Sequence, residues 1–411
     1  MNNRLTLLCT ALLSASLAGC SMPSQLTSPL ISPLATTAND SPLNYAQRAE
    51  QMAQNMLIVD THIDVPFRLH KDWEDVTQAT QRGEFDYPRA RAGGLNVPFM
   101  SIYIPSSYER TGGGFQLANQ LIDNMEALVG RAPAKFAMAY TSDDALNQLG
   151  SEKIAIALGM ENGTPIGGDL ANLQHFYQRG IRYITLAHSE SNHIADSSYD
   201  LRRRWQGLSP FGKALVVAMN NIGMMIDISH VSDAAFYQVI ELTKVPVIAS
   251  HSSLRRYTPG FERNMDDDML LALAKNGGVM QVNFGSSFVT AMANQYGVLR
   301  KAAAKQAGVA DDDAFELAFR QTQPYPFATL DTVLDHIDHV VKLVGIDYVG
   351  IGSDYDGVGD SLPIGLKDVA SYPNLIAGLL ERGYSDADIE KILSGNVLRV
   401  WRQVEAYAAA H

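Results

Sequence analysis

Cysteine is all but missing from this 411-residue chain: there are 2, Cys9 and Cys20, and both precede the body. No disulfide can tie the body together, so its fold rests on packing. Basic residues are also in short supply. Lys and Arg number 32 against 44 Asp and Glu, a formal charge of −12, which repels phosphate backbones and anionic headgroups and argues against a nucleic-acid partner. The apolar run at residues 5–13 falls short of the roughly 20 residues that a bilayer-spanning helix needs. Two motifs are absent as well. No glycine-rich nucleotide turn follows the first strand-like run, and Gly112-Gly113-Gly114 lacks the lysine of a phosphate loop. No G-x-S-x-G elbow accompanies Ser250-His251-Ser252-Ser253, so those serines read as turn-shaping rather than nucleophilic. What is present is a composition of 46% hydrophobic and 18% charged residues, enough for a large core and incompatible with disorder, collagen or coiled coil.

Residues 1–19 read as an export signal: one positive charge, Arg4, an apolar run, then the small-residue stretch Ser14-Ala15-Ser16-Leu17-Ala18-Gly19 before Cys20. Leu17-Ala18-Gly19-Cys20 resembles the bacterial lipoprotein cleavage box, which implies lipidation of Cys20 and anchoring to a membrane. Ser21, rather than an acidic residue, follows it, which by the same analogy favours the outer membrane, facing the periplasm. Residues 20–43, rich in Ser, Thr and Pro with the single charge Asp40, read as a tether that cannot form a core. Residues 44–411 read as one domain.

Within that body, short β-rich apolar runs recur at 57–60, 97–102, 154–158, 181–186, 224–228, 245–249, 279–284 and 348–351. Segments of helical period lie between them, among them 115–128, 170–179, 210–220, 233–242, 266–275 and 330–343. Strand and helix in alternation imply parallel strands with crossovers, and eight such units imply a closed (β/α)8 TIM barrel; a doubly wound open sheet is the runner-up. A helix is also expected at 45–55, and another from Ser385, with Ser385 as N-cap. Residues 189–209 and 286–327 exceed what a crossover needs and read as insertions, lids or dimer contacts, with helices expected at 299–307 and 311–320.

The chemistry collects where the strands end. His62 and Asp64 follow the first run at i and i+2, a spacing that points both to one side of an extended chain. Glu161 follows the third run, His188 the fourth, His230 the fifth, His251 the sixth and Asp354 the eighth, the edge at which barrel enzymes build their sites. Imidazoles and carboxylates without thiolate suit zinc or a similar divalent ion, and the set is too large for one open site. Two ions are implied, with a central acid, Glu161, as the natural bridge, and amide hydrolysis as the reaction. His70, His175, His193 and His411 read as surface or loop residues, and His336 and His339 as a solvated helix face. Asp354-Tyr355-Asp356-Gly357 lacks the further acids of a calcium loop.

Val59-Asp60-Thr61-His62-Ile63-Asp64, Gly159-Met160-Glu161-Asn162-Gly163, Thr185-Leu186-Ala187-His188, Leu208-Ser209-Pro210-Phe211-Gly212, Asp227-Ile228-Ser229-His230-Val231-Ser232, Ser250-His251-Ser252-Ser253 and Gly352-Ser353-Asp354-Tyr355-Asp356-Gly357 together resemble the membrane (renal) dipeptidase family of zinc metallopeptidases, in order and over nearly the whole body. The resemblance implies two zinc ions, with His62 and Asp64 on one, His230 and His251 on the other, and Glu161 bridging. It further implies that His188 contacts substrate and stabilises the tetrahedral intermediate, that Arg263 grips the substrate's C-terminal carboxylate, and that Asp354 shuttles a proton to the leaving amine. The implied reaction is hydrolysis of dipeptides, including some with a C-terminal D-residue, by a hydroxide shared between the ions. A homodimer is allowed. Phe288 stands where the family has an active-site tyrosine, which puts the choice among dipeptides in doubt; Arg255 and Arg256 are alternatives to Arg263. The competing readings are another barrel metal-dependent amidohydrolase, which would not need Arg263, and a non-catalytic binding module.

Overall fold

A computed structural model describes residues 44–411; the signal, Cys20 and tether expected at 1–43 lie outside the described residues. Strands are β1 (Ile58–Ile63), β2 (Leu95–Tyr103), β3 (Phe136–Met138), β4 (Ile154–Glu161), β5 (Ile181–Thr185), β6 (Met225–Asp227), β7 (Ile248–Ser252), β8 (Val279–Val282) and β9 (Val349–Ile351). All pairings are parallel, in the order β1-β2-β4-β5-β6-β7-β8-β9, with β3 beside β4 off this path. The eight strands on the path are the eight expected runs; β3 is additional, a three-residue strand too short for a period to register. The ring closes through backbone bonds just beyond β9, Asp354 N to His62 O (3.0 Å) and Asp64 N to Tyr355 O (2.8 Å). Buried Asp60 staples the same seam, accepting from the backbone N–H groups of His62 and Ser353 and from Tyr372 Oη.

Every residue of β1, β4 and β5 is buried, as expected for strands covered on both faces. Alternation sorts them. Ile154, Ile156 and Leu158 join the layer under the helices, while Ala155 and Ala157, with Val59, Val97, Phe99, Tyr183, Met225 and Val279, fill the barrel interior. Val397, Val400, Trp401 and Val404 of the C-terminal helix Asn396–Ala410 belong to the same interior cluster. Trp401 is fully buried, with its ring 5.1 Å from that of Phe99, so this helix plugs the lower end and leaves the strand C-termini open. Trp401→Ala is expected to cost about 3–5 kcal/mol, read as a lowered thermal midpoint, because a cavity of that size cannot collapse within a closed ring of strands.

The connecting helices begin where their caps say. Ser209 accepts from Gly212 N ahead of Pro210, Ser232 from Ala235 N, and Asp266 from Met269 N. Ser385 caps Asp386–Glu390 through a capping box with Asp388. Residues 189–209 contain no helix. They wrap around buried Asp196, whose carboxylate accepts the N–H groups of Arg204, Trp205 and Gly207. Residues 286–327 fold into helices Ser286–Val289, Ala291–Ala307 and Asp313–Thr322 beside the barrel mouth. No helix among the described residues is long and apolar enough to cross a membrane.

Candidate active site

Continuing the inward series of β4 past Ala155 and Ala157 gives Gly159 and then Glu161 at the strand's upper end. Gly159 is required there, since a Cβ would collide with the Tyr183 ring. His62 and His251 reach the same point differently. Simple alternation places Val59 and Ile248 inward and would turn His62 and His251 out, but the strand register slips between Asp60 and Ile63 and between Ala249 and Ser252. Irregularities of this kind re-aim side chains. The two imidazoles end stacked, with ring centroids 3.7 Å apart. His230 and Asp354 sit on loops just past β6 and β9 with positive φ, 69° and 64°, conformations in which non-glycine residues are held only by their surroundings.

Seven residues thereby meet. His62, Glu161 and His251 form one potential metal-holding group, Glu161, His188 and His230 a second, and His62, Asp64 and Asp354 a third. Glu161 is the hub. Its Oε1 lies 3.1 Å from His230 Nε2, 3.3 Å from His251 Nε2 and 3.4 Å from His188 Nε2, and its Oε2 lies 3.5 Å from His62 Nε2. Ser101 donates to the same Oε2 at 3.3 Å. Asp64 Oδ2 is 3.4 Å from His62 Nε2, and Asp354 accepts from Asn283 Nδ2 at 2.7 Å.

The donor set fits divalent cations. Nε2 of His62, which faces Asp64 and Glu161, is buried without a hydrogen-bond partner among the described residues. The Nε2 atoms of His230 and His251 approach to 2.8 Å beside a shared carboxylate oxygen of Glu161, so three atoms able to ligate a cation crowd into one spot. Burial, with Arg263 and neighbouring imidazoles adding to it, holds His230 and His251 well below the usual histidine range, so both are neutral, the ligating form. Burial raises the Asp64 carboxyl, and raises Asp354 to about 7; the charge of Glu161 adds to both against the pull of His62. Acids crowded out of water in this way ask for positive charge.

The cluster lies on the floor of a cavity of about 1140 Å³ lined by Asp64, Glu161, His188, His230 and Asp354, with Tyr103, Tyr199 and Phe288 on its walls. Arg320, Arg300 and Glu316 of the expected insertion form its far side. Arg263 is buried behind Phe288, its guanidinium 5.4 Å from that ring centroid. It donates to Ser252 Oγ (2.8 Å) and to the His251 carbonyl (2.7 Å), and its Nε is buried without a hydrogen-bond partner among the described residues. Arg255 is spent on Asp233 and Asp266, and Arg256 is exposed on Asp267, so neither substitutes for it.

Other expectations need correction. His336 is not on a solvated face: it is fully buried, accepting from Leu254 N at Nδ1 and donating from Nε2 to the Val289 carbonyl. It is a fastener between the barrel and residues 286–327. His339 is partly buried against Asp267. His193 is a loop residue, as expected, but is tied to Glu109, and His175 packs on Phe115 and bonds Asn119. The serines at 250 and 252 do more than shape a turn, since they bond His251 and Arg263. Tyr103, Tyr183, Tyr199, Asp227 and Asn283 escaped the sequence reading. The strand-end rule reaches Asn283, directly after β8, but a search for imidazoles and carboxylates passes over an amide.

A model of the family described as membrane dipeptidase, peptidase family M19, matches residues 46–411. Dipeptidase 3 of Mus musculus is 34% identical over 368 residues, covering 87% of this chain, while this chain spans 66% of that protein's length. An uncharacterized dipeptidase of Schizosaccharomyces pombe is 33% identical over 384 residues, covering 88% of this chain and 84% of its own length. The crystal structure of the probable dipeptidase PvdM from Pseudomonas aeruginosa superposes with a TM-score of 0.79 at 28% identity, covering 90% of this chain and 100% of that one. The eight-stranded barrel, its cation-ready cluster and these matches lead to one assignment: the chain belongs to the membrane dipeptidase family, peptidase family M19.

Proposed function

We propose that this protein hydrolyses the peptide bond of dipeptides, including some that end in a D-residue, with the help of two zinc ions. The observation that carries the reading is the convergence of His62, Asp64, His230 and His251 on Glu161 at the floor of the cavity. His62 and Asp64 would hold one ion, His230 and His251 the other, and Glu161 both. When bound, the pair supplies Lewis acidity, polarising the scissile carbonyl and bringing water toward ionisation near neutral pH.

The remaining residues do the rest. Asp354, which Asn283 orients and whose carboxyl lies near neutrality, accepts a proton from the attacking water and returns it to the departing amine. His188 is held below its usual range by burial, so it is neutral and offers one N–H to the developing oxyanion. Arg263, with a buried donor to spare, can bind the substrate's terminal carboxylate and so restrict cleavage to substrates that end one residue past the scissile bond. Phe288 covers Arg263 with a ring instead of a hydroxyl, leaving selectivity on that wall to shape. On the sequence motif alone, we also read Cys20 as a lipid anchor on the outer membrane of an exporting bacterium.

The test is metal analysis of the purified body alongside a peptide panel. Zinc should be present at about two ions per chain, chelation should abolish dipeptide cleavage, and tripeptides should be poor substrates. Arg263→Ala should lose about 10²-fold in kcat/KM on dipeptides, the scale of a lost charged hydrogen-bond pair. Undiminished turnover by Arg263→Ala, with the metal retained, would favour an amidohydrolase acting on other amides.

A further inference from the structure

Two imidazoles of the cluster are backed by hydrogen-bond chains that start deep in the barrel, and the chains end differently. His251 Nδ1 lies 2.7 Å from Ser250 Oγ, which lies 2.6 Å from Asp227 Oδ2. Asp227 is fully buried at the end of β6. Its Oδ1 takes the backbone N–H groups of Ser229 (3.0 Å) and Ser250 (2.8 Å), and its Oδ2 takes the hydroxyls of Ser250 and Thr185. A carboxylate with donors on both oxygens only accepts. The Ser250 hydroxyl must therefore donate to Asp227, which leaves its oxygen to accept from His251 Nδ1–H. That order fixes the tautomer: a neutral His251 carries its proton on Nδ1 and presents the lone pair of Nε2 to Glu161 and His230.

At His62 the same logic runs through a neutral group. Nδ1 is 2.9 Å from Tyr183 Oη, which is 2.9 Å from the Thr61 carbonyl; the carbonyl accepts, so Tyr183 accepts in turn from His62. Among the described residues no charged group stands behind this imidazole in the chain of hydrogen bonds, and Nδ1 of His188 and His230 is without a hydrogen-bond partner. Among the four histidines, His251 alone is connected through this kind of bridge to a carboxylate.

We propose that Asp227, acting through Ser250, is a positioning residue that sets the tautomer of His251 and strengthens its hold on the metal. The inference rests on the reading that the cluster binds divalent ions. A carboxylate behind an imidazole locks the ring and raises its basicity as a ligand, and losing such support costs about 10–100-fold in metal affinity.

The experiment compares Ser250→Ala, Ser250→Thr and Thr185→Val with the unaltered chain. Thr185→Val is the control, since it removes a hydroxyl from the same Asp227 oxygen without touching His251. The first readout is zinc affinity by competition with a chromophoric chelator. The second is the tautomer of His251 in metal-free protein, from its ring ¹⁵N shifts. Ser250→Ala is expected to bind one zinc about 10–100-fold more weakly and to lose the fixed Nδ1–H form. Ser250→Thr should restore both, and Thr185→Val should change neither. Unchanged affinity and tautomer in Ser250→Ala would overturn the proposal, as would an equal loss in Thr185→Val, which would reduce Asp227 to a structural staple. An unaltered chain that takes up no zinc would instead sink the metallodipeptidase reading, while the tautomer measurement would still report on the bridge.

Discussion

Glu161→Gln is expected to lower kcat/KM for dipeptides by at least about 10³-fold, the scale seen when a preorganised electrostatic group is lost from a site, and to leave the chain short of its full metal content. The substitution keeps the shape of the side chain and removes its charge. In this structure that charge stands within 3.5 Å of nitrogens from His62, His188, His230 and His251. An amide offers one oxygen and no charge, so it could neither serve both halves of the cluster nor offset the two cations proposed to bind there. Metal analysis and steady-state kinetics on one preparation decide the matter. Full activity with full metal would remove Glu161 from the bridging role.

Asp354→Asn should separate the two readouts: kcat reduced by about 10²–10⁴-fold, the range for loss of a general acid–base, with metal content unchanged. Asp354 accepts from Asn283, and its carboxyl is raised to about 7 chiefly by burial. A base with a raised pKa is lost as pH falls through that value, so the unaltered enzyme should show an acid limb governed by this group. A cation bound nearby would pull the limb below 7, and the limb should vanish in the Asn variant along with most of the rate. If the variant instead loses zinc, Asp354 is a ligand, consistent with its place in the His62 and Asp64 group, and the proton transfer must be assigned elsewhere.

The two variants together probe a site that was partly legible in the amino-acid order. Six of the eight expected strand ends carry His62, Asp64, Glu161, His188, His230, His251 and Asp354, and the structure gathers all seven. They were readable because a closed barrel converts a one-dimensional rule, the residue after a strand, into a ring of neighbouring positions. His336 misled for the complementary reason. It shares a helix with His339, where the i and i+3 spacing says that two residues share a face but not whether that face is wet, and the chain at 286–327 covers it. Tyr199, on the cavity wall, comes from a loop without a period to read.

The order of residues by itself determined the alternation of strand and helix, hence the parallel barrel, and the chemical type of the site, since imidazoles and carboxylates without thiolates admit few cofactors. Tertiary structure decided the aim. The slipped registers of β1 and β7 turn His62 and His251 inward where simple alternation would turn them out. The ring of strands then brings Asp227 behind Ser250 and Tyr183 behind His62. Such contacts join residues as far as 121 positions apart, and local preference carries no information about them; they exist only once the sheet has closed.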